Sequence, residues 1–216
     1  MPGMRISAVL LDVDGVLLDS AGAHRRVWDA WSAARGLDPE KVWELTFGRR
    51  PEDTVGDVAA HLDPAAERQA LDRLLEQEMG SIQPVEGAPD LLESLSGSPW
   101  AIVTSGNRDF VAARFAATGL ALPAVQVYGS DVQQAKPAPD CFALAASRLG
   151  VAPAECLVVE DAPAGVRAAV AAGCVAVGLT TTHTGEALVQ ARARLCVDSL
   201  ADVRNLLAGF GFGAGS

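Results

Sequence analysis

The feature that most constrains the fold is a regular alternation of strand-like and helix-like segments from Gly87 onward. Short apolar runs rich in β-branched residues are typical of strands buried on both faces. Their alternation with helical segments predicts a parallel sheet covered by helices on both sides, an α/β fold. The predicted strands are residues 100–104, 125–128, 156–159, 175–179 and a short piece at 195–197. The predicted helices are residues 88–95, 109–117, 141–149, 164–172 and 200–207.

A further strand is predicted at residues 6–11, directly before two carboxylates, Asp12 and Asp14. Unpaired charge at the boundary of a core is costly, so these acids need a reason to be there. Gly15 then allows the backbone to turn sharply out of the strand. Because α/β sheets bind ligands at the carboxyl ends of their strands, the two acids indicate a site for a hard cation. A plain strand followed by an Asp-Gly turn is the alternative.

Residues 19–83 have a helical pattern and no strand signal. Val27, Trp31 and Ala34 recur at helical spacing, and further helices are predicted near residues 41–47, from Pro51, and over residues 63–79. A helical segment placed after the first strand is best interpreted as an insertion. We therefore predict a Rossmann-like parallel-sheet core, residues 1–16 and 84–216, with an inserted α-helical cap, residues 17–83.

Composition limits the partners and the compartment. The 216 residues are 50% hydrophobic and carry a formal net charge of −10, which argues against nucleic acid or an anionic membrane as a partner. The four cysteines show no C-x-x-C spacing and are expected to be buried, reduced thiols. No apolar run reaches transmembrane length, and no signal-peptide pattern opens the chain. We expect a cytoplasmic protein that is a monomer or a weak dimer.

Polar residues follow several predicted strands at the point where each strand ends. These are Thr104-Ser105-Gly106-Asn107, Lys136 in a following loop, and Glu160-Asp161. The carboxyl ends of parallel strands share one edge, so the groups should converge with the first two aspartates. Carboxylates suit Mg²⁺, whereas a hydroxyl, backbone N–H groups and a lysine suit a phosphate. Singly, each has a simpler interpretation as a turn, a solvated lysine or a helix cap; together they favour a functional site.

These motifs resemble those of the haloacid dehalogenase superfamily of phosphotransferases over nearly the whole chain. The matching segments are residues 12–16, 104–106, 136–140 and 160–165. The helical insertion looks like the C1 cap of that superfamily. Within it, the chain is most similar to sugar-phosphate and glycerol-phosphate phosphatases, including 2-deoxyglucose-phosphate phosphatases, with β-phosphoglucomutase a close relative. Ala135 stands where a glycine commonly precedes the lysine, a departure that removes no functional group.

The resemblance implies a Mg²⁺-dependent phosphatase that hydrolyses a small phosphorylated metabolite, a sugar or polyol phosphate, through an aspartyl-phosphate. Asp12 would be the nucleophile, and Asp14 would act as general acid and base. Mg²⁺ would be held by Asp12, the main-chain carbonyl of Asp14, and Asp161. The remaining assignments are Thr104, Ser105 and Lys136 as phosphate-binding residues and Glu160 as a residue that orients a metal-bound water.

Two alternative functions remain open. A catalytically silent binding module on the same fold would usually have lost one of the two aspartates, and both are present. A phosphomutase would need a second phosphate site in the cap, which in β-phosphoglucomutases includes an arginine directly before a Glu-Asp pair. Here Pro51 precedes Glu52-Asp53, and Arg50 lies one residue further back.

Substrate specificity could involve four further residues, three of which have a simpler interpretation. Arg49 and Arg50 lie between two predicted cap helices and are equally well explained as surface charges. His24 is explained more simply as a packing or capping histidine, and Asn107 follows the Thr-Ser-Gly segment. The tryptophans, Trp28, Trp31, Trp43 and Trp100, are interpreted as core residues, and His183 as a structural loop residue.

Overall fold

A computed structural model describes residues 5–212, and its main sheet contains six parallel strands. The strands of the protein are β1 (Ala8–Leu11), β2 (Leu18–Asp19), β3 (Gln83–Pro84), β4 (Trp100–Val103), β5 (Val125–Val127), β6 (Cys156–Glu160), β7 (Val175–Leu179) and β8 (Leu195–Val197). The six-stranded sheet has the order β5-β4-β1-β6-β7-β8. The predicted α/β fold is confirmed, while residues 1–4 and 213–216 of the predicted core lie outside the described residues.

Strand β1 lies at the centre of the sheet, and all four of its residues are fully buried. It pairs in parallel with β4 on one side and β6 on the other. Alternate residues of β1 join different apolar clusters, Val9 and Leu11 in one, Ala8 and Leu10 in the other. Successive side chains of a strand point to opposite faces of the sheet. Because helices cover both faces here, every residue of β1 is apolar.

The helices of the sheet domain divide between the two faces. They are α5 (Ala88–Ser94), α6 (Arg108–Thr118), α7 (Asp140–Leu149), α8 (Pro163–Ala171), α9 (Gly185–Gln190) and α10 (Leu200–Gly209). Buried residues of α5, α6 and α10 join the first apolar cluster, and those of α7, α8 and α9 the second. Helix α9 was not predicted from the sequence because it has only six residues. It begins after Thr184, whose side chain accepts a hydrogen bond from the Ala187 amide.

Four helices occupy the segment predicted to form the cap. They are α1 (Ala21–Arg35), α2 (Pro39–Trp43), α3 (Pro51–Val58) and α4 (Pro64–Glu78). Three of them begin with proline, which has the right φ for a first turn and lacks an N–H that would go unbonded there. Asp38 and Asp63 precede two of these prolines and cap the helices by accepting backbone N–H groups. Helix α1 packs against α2 and α4.

A two-stranded ribbon that the sequence did not predict lies where the chain enters and leaves this helical segment. Strands β2 and β3 pair antiparallel, Leu18 with Pro84 and Asp19 with Gln83. Two residues are too few to show an alternating pattern. The ribbon brings the two ends of the helical segment together. The division into two domains, with boundaries near residues 17 and 83, stays a prediction.

The structure confirms the predicted burial of three of the four cysteines. Cys141, Cys156 and Cys174 are buried, Cys196 is half-buried, and all four are free thiols. Within residues 5–212, none of the helices combines the length and the apolar character that crossing a membrane requires.

Candidate active site

The predicted groups converge at the carboxyl edge of the sheet. Asp12 follows β1, Thr104 follows β4, and Glu160 and Asp161 stand at the end of β6. All four side chains are buried. Carboxylate oxygens of Asp12, Glu160 and Asp161 lie within 4.8 Å of one another, close enough to share one cation. The expectation that successive strand ends build a single site is therefore met for these residues.

Lys136 lies inside this cluster, and the solvated-lysine interpretation is wrong for it. Its side chain is buried, and Nζ donates to Asp12 Oδ1 at 2.6 Å and to Glu160 Oε1 at 2.6 Å. A third hydrogen bond, 3.0 Å long, goes to the main-chain carbonyl of Val103. Burial alone would lower the pKa of the lysine, but Asp12 and Glu160 outweigh it and raise that pKa. The ammonium group therefore stays charged.

Three buried carboxylates around one ammonium group leave an excess of negative charge. Burial raises the pKa of Asp12 to about 7; Lys136 opposes the rise, and the neighbouring Glu160 and Asp14 add to it. Burial also raises the pKa of Asp161 well above its usual range, with Glu160 and Asp12 contributing. A divalent cation would offset this repulsion, and the donor set consists of oxygens, as Mg²⁺ prefers. The residues present therefore fit a hard divalent cation.

Asp14 has different surroundings from Asp12, although it is only two residues away. Its Oδ1 accepts hydrogen bonds from Ser20 Oγ at 2.7 Å and from Arg114 Nη1, and lies 3.3 Å from His24 Nε2. Burial would raise the pKa of Asp14, but Arg114, followed by His24 and Ser20, outweighs it and holds that pKa well below the usual range. Asp14 is therefore an ionised carboxylate with a cation of its own.

Sequence reasoning missed Arg114. An arginine in the middle of a helix is usually a solvated charge, yet this one is 2% exposed. A signal was present in the helical spacing. Val111 and Phe115, at positions i−3 and i+1, are the other buried residues of α6, so Arg114 lies on the apolar face of the helix. A charge at that position required a partner, and the partner, Asp14, lies 100 residues earlier in the chain.

The loop after β7 completes the edge, which the sequence analysis did not foresee. Thr181 Oγ1 donates to the main-chain carbonyl of Gly15 at 2.5 Å. Thr182 Oγ1 donates to Asp161 Oδ2 at 2.5 Å, and His183 Nδ1 lies 3.0 Å from the Asp161 carbonyl. Gly15 has a φ of +82°, and a Cβ there would lie 2.1 Å from Asp161 Oδ2. The turn at Gly15 thus lies directly against Asp161, and the hydroxyls of Thr181 and Thr182 hold the two in place.

A cavity of about 110 Å³ lies between the sheet edge and the helical segment. On the sheet side it is lined by Asp12, Asp14, Thr104, Ser105 and Asp161, among others. The opposite wall includes His24, Trp28, Trp43, Phe47 and Arg49. Trp28 and Trp43, which the sequence analysis interpreted simply as core, therefore also form part of the cavity wall. Trp31 is a core residue as predicted, since it is fully buried.

The segment between α2 and α3 is docked on the sheet domain. Ser105 Oγ donates to the Gly48 carbonyl at 2.9 Å, so this hydroxyl is bound to the segment between α2 and α3. The rings of Phe47 and His183 meet edge to face, 4.6 Å apart. Arg50 reaches the Gly129 carbonyl at 3.4 Å from the same segment. Polar and aromatic contacts thus hold the segment between α2 and α3 against the sheet domain beside the cavity.

The four candidate specificity residues have different positions. Arg49 lines the cavity and forms an ion pair with Asp57 at 2.6 Å. Arg50 is not among the lining residues; its guanidinium group is bound to Asp53 and to main-chain carbonyls. His24 lines the cavity next to Asp14. Asn107 caps α6 and lines a neighbouring cavity of about 40 Å³.

Comparisons with known proteins agree with this geometry. A family model described as haloacid dehalogenase-like hydrolase matches residues 6–173. Hexitol phosphatase A of Escherichia coli is 42% identical over 176 residues, 79% of this chain and 82% of that protein. Validoxylamine A 7'-phosphate phosphatase of Streptomyces hygroscopicus subsp. limoneus is 36% identical over 204 residues, 90% of this chain and 94% of that protein. The crystal structure of a HAD family hydrolase from Deinococcus radiodurans R1, with bound phosphate and sodium, has a TM-score of 0.74 and 30% identity, covering 96% of this chain and 97% of that one.

Proposed function

The chain belongs to the haloacid dehalogenase-like hydrolases, and from that premise we propose that it is a Mg²⁺-dependent phosphatase acting on a small sugar or polyol phosphate. The observation that carries the proposal is the buried Asp12, hydrogen-bonded to Lys136 and clustered with Glu160 and Asp161 beside a cavity. A buried carboxylate between a fixed cation and a cation site is suited to attack a phosphoryl group. The names of the relatives, a hexitol phosphatase among them, support the substrate class.

Asp12 is the proposed nucleophile. Oδ1 accepts the Lys136 hydrogen bond, and attack by a carboxylate oxygen on phosphorus forms an aspartyl-phosphate while the P–O bond to the leaving alkoxide breaks. Asp14 is ionised in the free protein, so it takes up a proton as the phosphate dianion binds nearby and raises its pKa. It then delivers that proton to the departing alkoxide, and later removes a proton from the water that attacks the aspartyl-phosphate. Such acid–base assistance is worth about 10²–10⁴-fold. Thr104 and Lys136 hold phosphoryl oxygens in line for the transfer, and Lys136 exchanges one of its three hydrogen bonds for this contact.

Asp12, Asp161 and the main-chain carbonyl of Asp14 are the proposed ligands of Mg²⁺. The charge of the bound cation offsets the repulsion between the Asp12 carboxylate and a phosphate dianion, which is the chemistry it supplies. Glu160 is held by Lys136 and by the Ala162 amide, so it is suited to orient a water on the cation rather than to bind the cation directly.

The cavity wall is the proposed recognition surface for the leaving group. Trp28, Trp43 and Phe47 provide aromatic faces for the C–H groups of a sugar or polyol, and Arg49 provides donors for its hydroxyls. His24, next to Asp14, and Asn107, in the adjoining cavity, are further proposed contacts of the leaving group. Ser105 contributes to phosphate binding through its backbone N–H, since its hydroxyl is donated to Gly48.

The test is hydrolysis of 4-nitrophenyl phosphate and of a panel of sugar and polyol phosphates, with Mg²⁺ and in excess chelator. The wild type should be active only with Mg²⁺, and Asp12→Asn should abolish hydrolysis of every ester. Asp19→Asn, a change of an exposed carboxylate on β2, is the matched control and should retain activity. Full activity in chelator would remove the cation from the mechanism, and activity in Asp12→Asn would remove the nucleophile. Hydrolysis of the panel also separates an enzyme from a silent binding module.

A further inference from the structure

Arg114 is a buried cation with a single acidic partner among the described residues. Its side chain is 2% exposed, and its ion pair is with Asp14, the proposed acid and base. The Nε atom is buried and has no hydrogen-bond partner within the part of the chain that the structure describes. Burying a guanidinium group is expensive, and leaving one of its donors unbonded adds to the cost. An ion pair at this position would contribute little net free energy to folding, which points to a role in the chemistry.

The hydrogen bonds of Asp14 distinguish its two oxygens. Arg114 Nη1, Ser20 Oγ and His24 Nε2 all meet Oδ1. Oδ2 has one contact, with Arg114 Nη2 at 3.5 Å, which is at the limit of a hydrogen bond. A carboxylate oxygen has two lone pairs, so Oδ1 is saturated while Oδ2 stays available.

We propose that Arg114 is a positioning residue that fixes Asp14 through Oδ1, so that Oδ2 carries the proton exchanged with the leaving group and the attacking water. The inference rests on the proposed function, in which Asp14 is the acid and base. It assigns the proton to one atom and explains why an arginine is buried there. Ser20 and His24 share the work of holding Oδ1.

Helix α6 is a suitable support for such a residue. Its first turn is capped by Asn107, and Val111 and Phe115 pack in the core on either side of Arg114. The guanidinium group lies beside the phosphate-binding segment: a Cβ at Gly106 would be 3.5 Å from Arg114 Nη2, an ordinary contact distance, and 3.2 Å from Thr104 Oγ1. The planar guanidinium fixes a carboxylate in direction as well as distance, which the point charge of a lysine does not.

The test compares esters whose leaving groups depend differently on proton transfer. A nitrophenolate departs without a proton, whereas an alkoxide needs one, so mispositioning Asp14 should affect alkyl phosphates more. In Arg114→Met, kcat/KM for the alkyl phosphate that the wild type hydrolyses best should fall about 10–100-fold, part of the full acid–base effect. The value for 4-nitrophenyl phosphate should fall only severalfold. In Arg114→Lys, which keeps the charge but not the planar fork, the ratio of the two should change in the same direction by less.

The matched control is Arg35→Met. Arg35 also pairs with one acid, Glu67, and also has a buried, unbonded Nε, but lies on α1 away from Asp14. This variant should lose stability without changing the ratio of the two esters. A constant ratio in the Arg114 variants overturns the inference while the wild-type hydrolysis leaves the proposed function intact. If Arg114→Met does not fold, a constant ratio in Arg114→Lys has the same force. If the wild type hydrolyses neither ester, the proposed function fails and the inference fails with it.

Discussion

Replacement of Gly165 by alanine should cost the protein much of its stability, although the change adds a single methyl group to a helix. A Cβ at Gly165, in the first turn of α8, would lie 1.7 Å from Glu160 Oε1 and 2.0 Å from its Cδ. Contacts this short cannot exist, so Glu160 would have to move. Glu160 is fully buried, accepts Lys136 Nζ at 2.6 Å and is bound to the Ala162 amide at 3.1 Å. The methyl group therefore cannot be accommodated without disturbing a buried ion pair.

The magnitude follows from two contributions. Overpacking of a filled interior costs about 1–3 kcal/mol. Separating a buried ion pair so that a charge loses its partner costs about 3–5 kcal/mol, though Lys136 keeps Asp12. We therefore expect Gly165→Ala to lose at least about 3 kcal/mol of unfolding free energy. For a protein of this size the loss lowers Tm by roughly 6–12 °C.

Gly56→Ala is the matched control because it changes another helical glycine. Gly56 lies in α3, and a Cβ there would meet nothing within 4 Å. Alanine should stabilise that helix by about 0.5–1 kcal/mol, since it reduces the freedom of the unfolded chain. Thermal and urea unfolding followed by circular dichroism would compare both variants with the wild type. The reasoning is refuted if Gly165→Ala is as stable as the wild type or as Gly56→Ala.

Two further predictions concern selectivity and the fate of the phosphoryl group. Arg49→Ala should reduce kcat/KM for sugar or polyol phosphates more than for 4-nitrophenyl phosphate, because Arg49 lines the cavity where the leaving group would lie; equal losses on both esters, or none, would make it a surface charge. Arg50 is bound to Asp53 and to main-chain carbonyls rather than free to bind a second phosphate, so β-glucose 1-phosphate with a trace of the 1,6-bisphosphate should release inorganic phosphate. Efficient conversion to glucose 6-phosphate with little phosphate release would instead establish a mutase.

The sheet and the edge that carries the site were predictable because each signal is local. Strands buried on both faces must be apolar, so they stand out in the sequence, and acids directly after them stand out in turn. Parallel topology then brings Asp12, Thr104 and Glu160 together without any knowledge of long-range contacts. The one step that needed more than topology was Lys136, since a loop lysine carries no local sign that it will be buried.

Other features were not predictable because they depend on contacts between distant segments. The helical spacing of Arg114 indicates burial, but its partner, Asp14, is not identifiable until α6 is packed beside the turn that follows β1. The Ser105 hydroxyl looks like a phosphate donor until the segment between α2 and α3 brings the Gly48 carbonyl to it. Helix α9 and the β2–β3 ribbon are too short for periodicity to reveal them. In each case a tertiary contact decides between structural interpretations that the local sequence does not distinguish.

The two aspartates of the D-x-D-G segment owe their different proposed roles to two buried cations that come from elsewhere in the chain. Asp12 shares Lys136 with Glu160, so its cation also serves a second acid and the cluster keeps an excess of negative charge that a divalent ion would offset. Asp14 has Arg114, which meets chiefly Oδ1, where Ser20 Oγ and His24 Nε2 also lie. A carboxylate beside a cation site is suited to attack phosphorus, and one clamped through Oδ1 is suited to pass a proton through Oδ2. The local motif supplies the two acids, and the folded core distinguishes them.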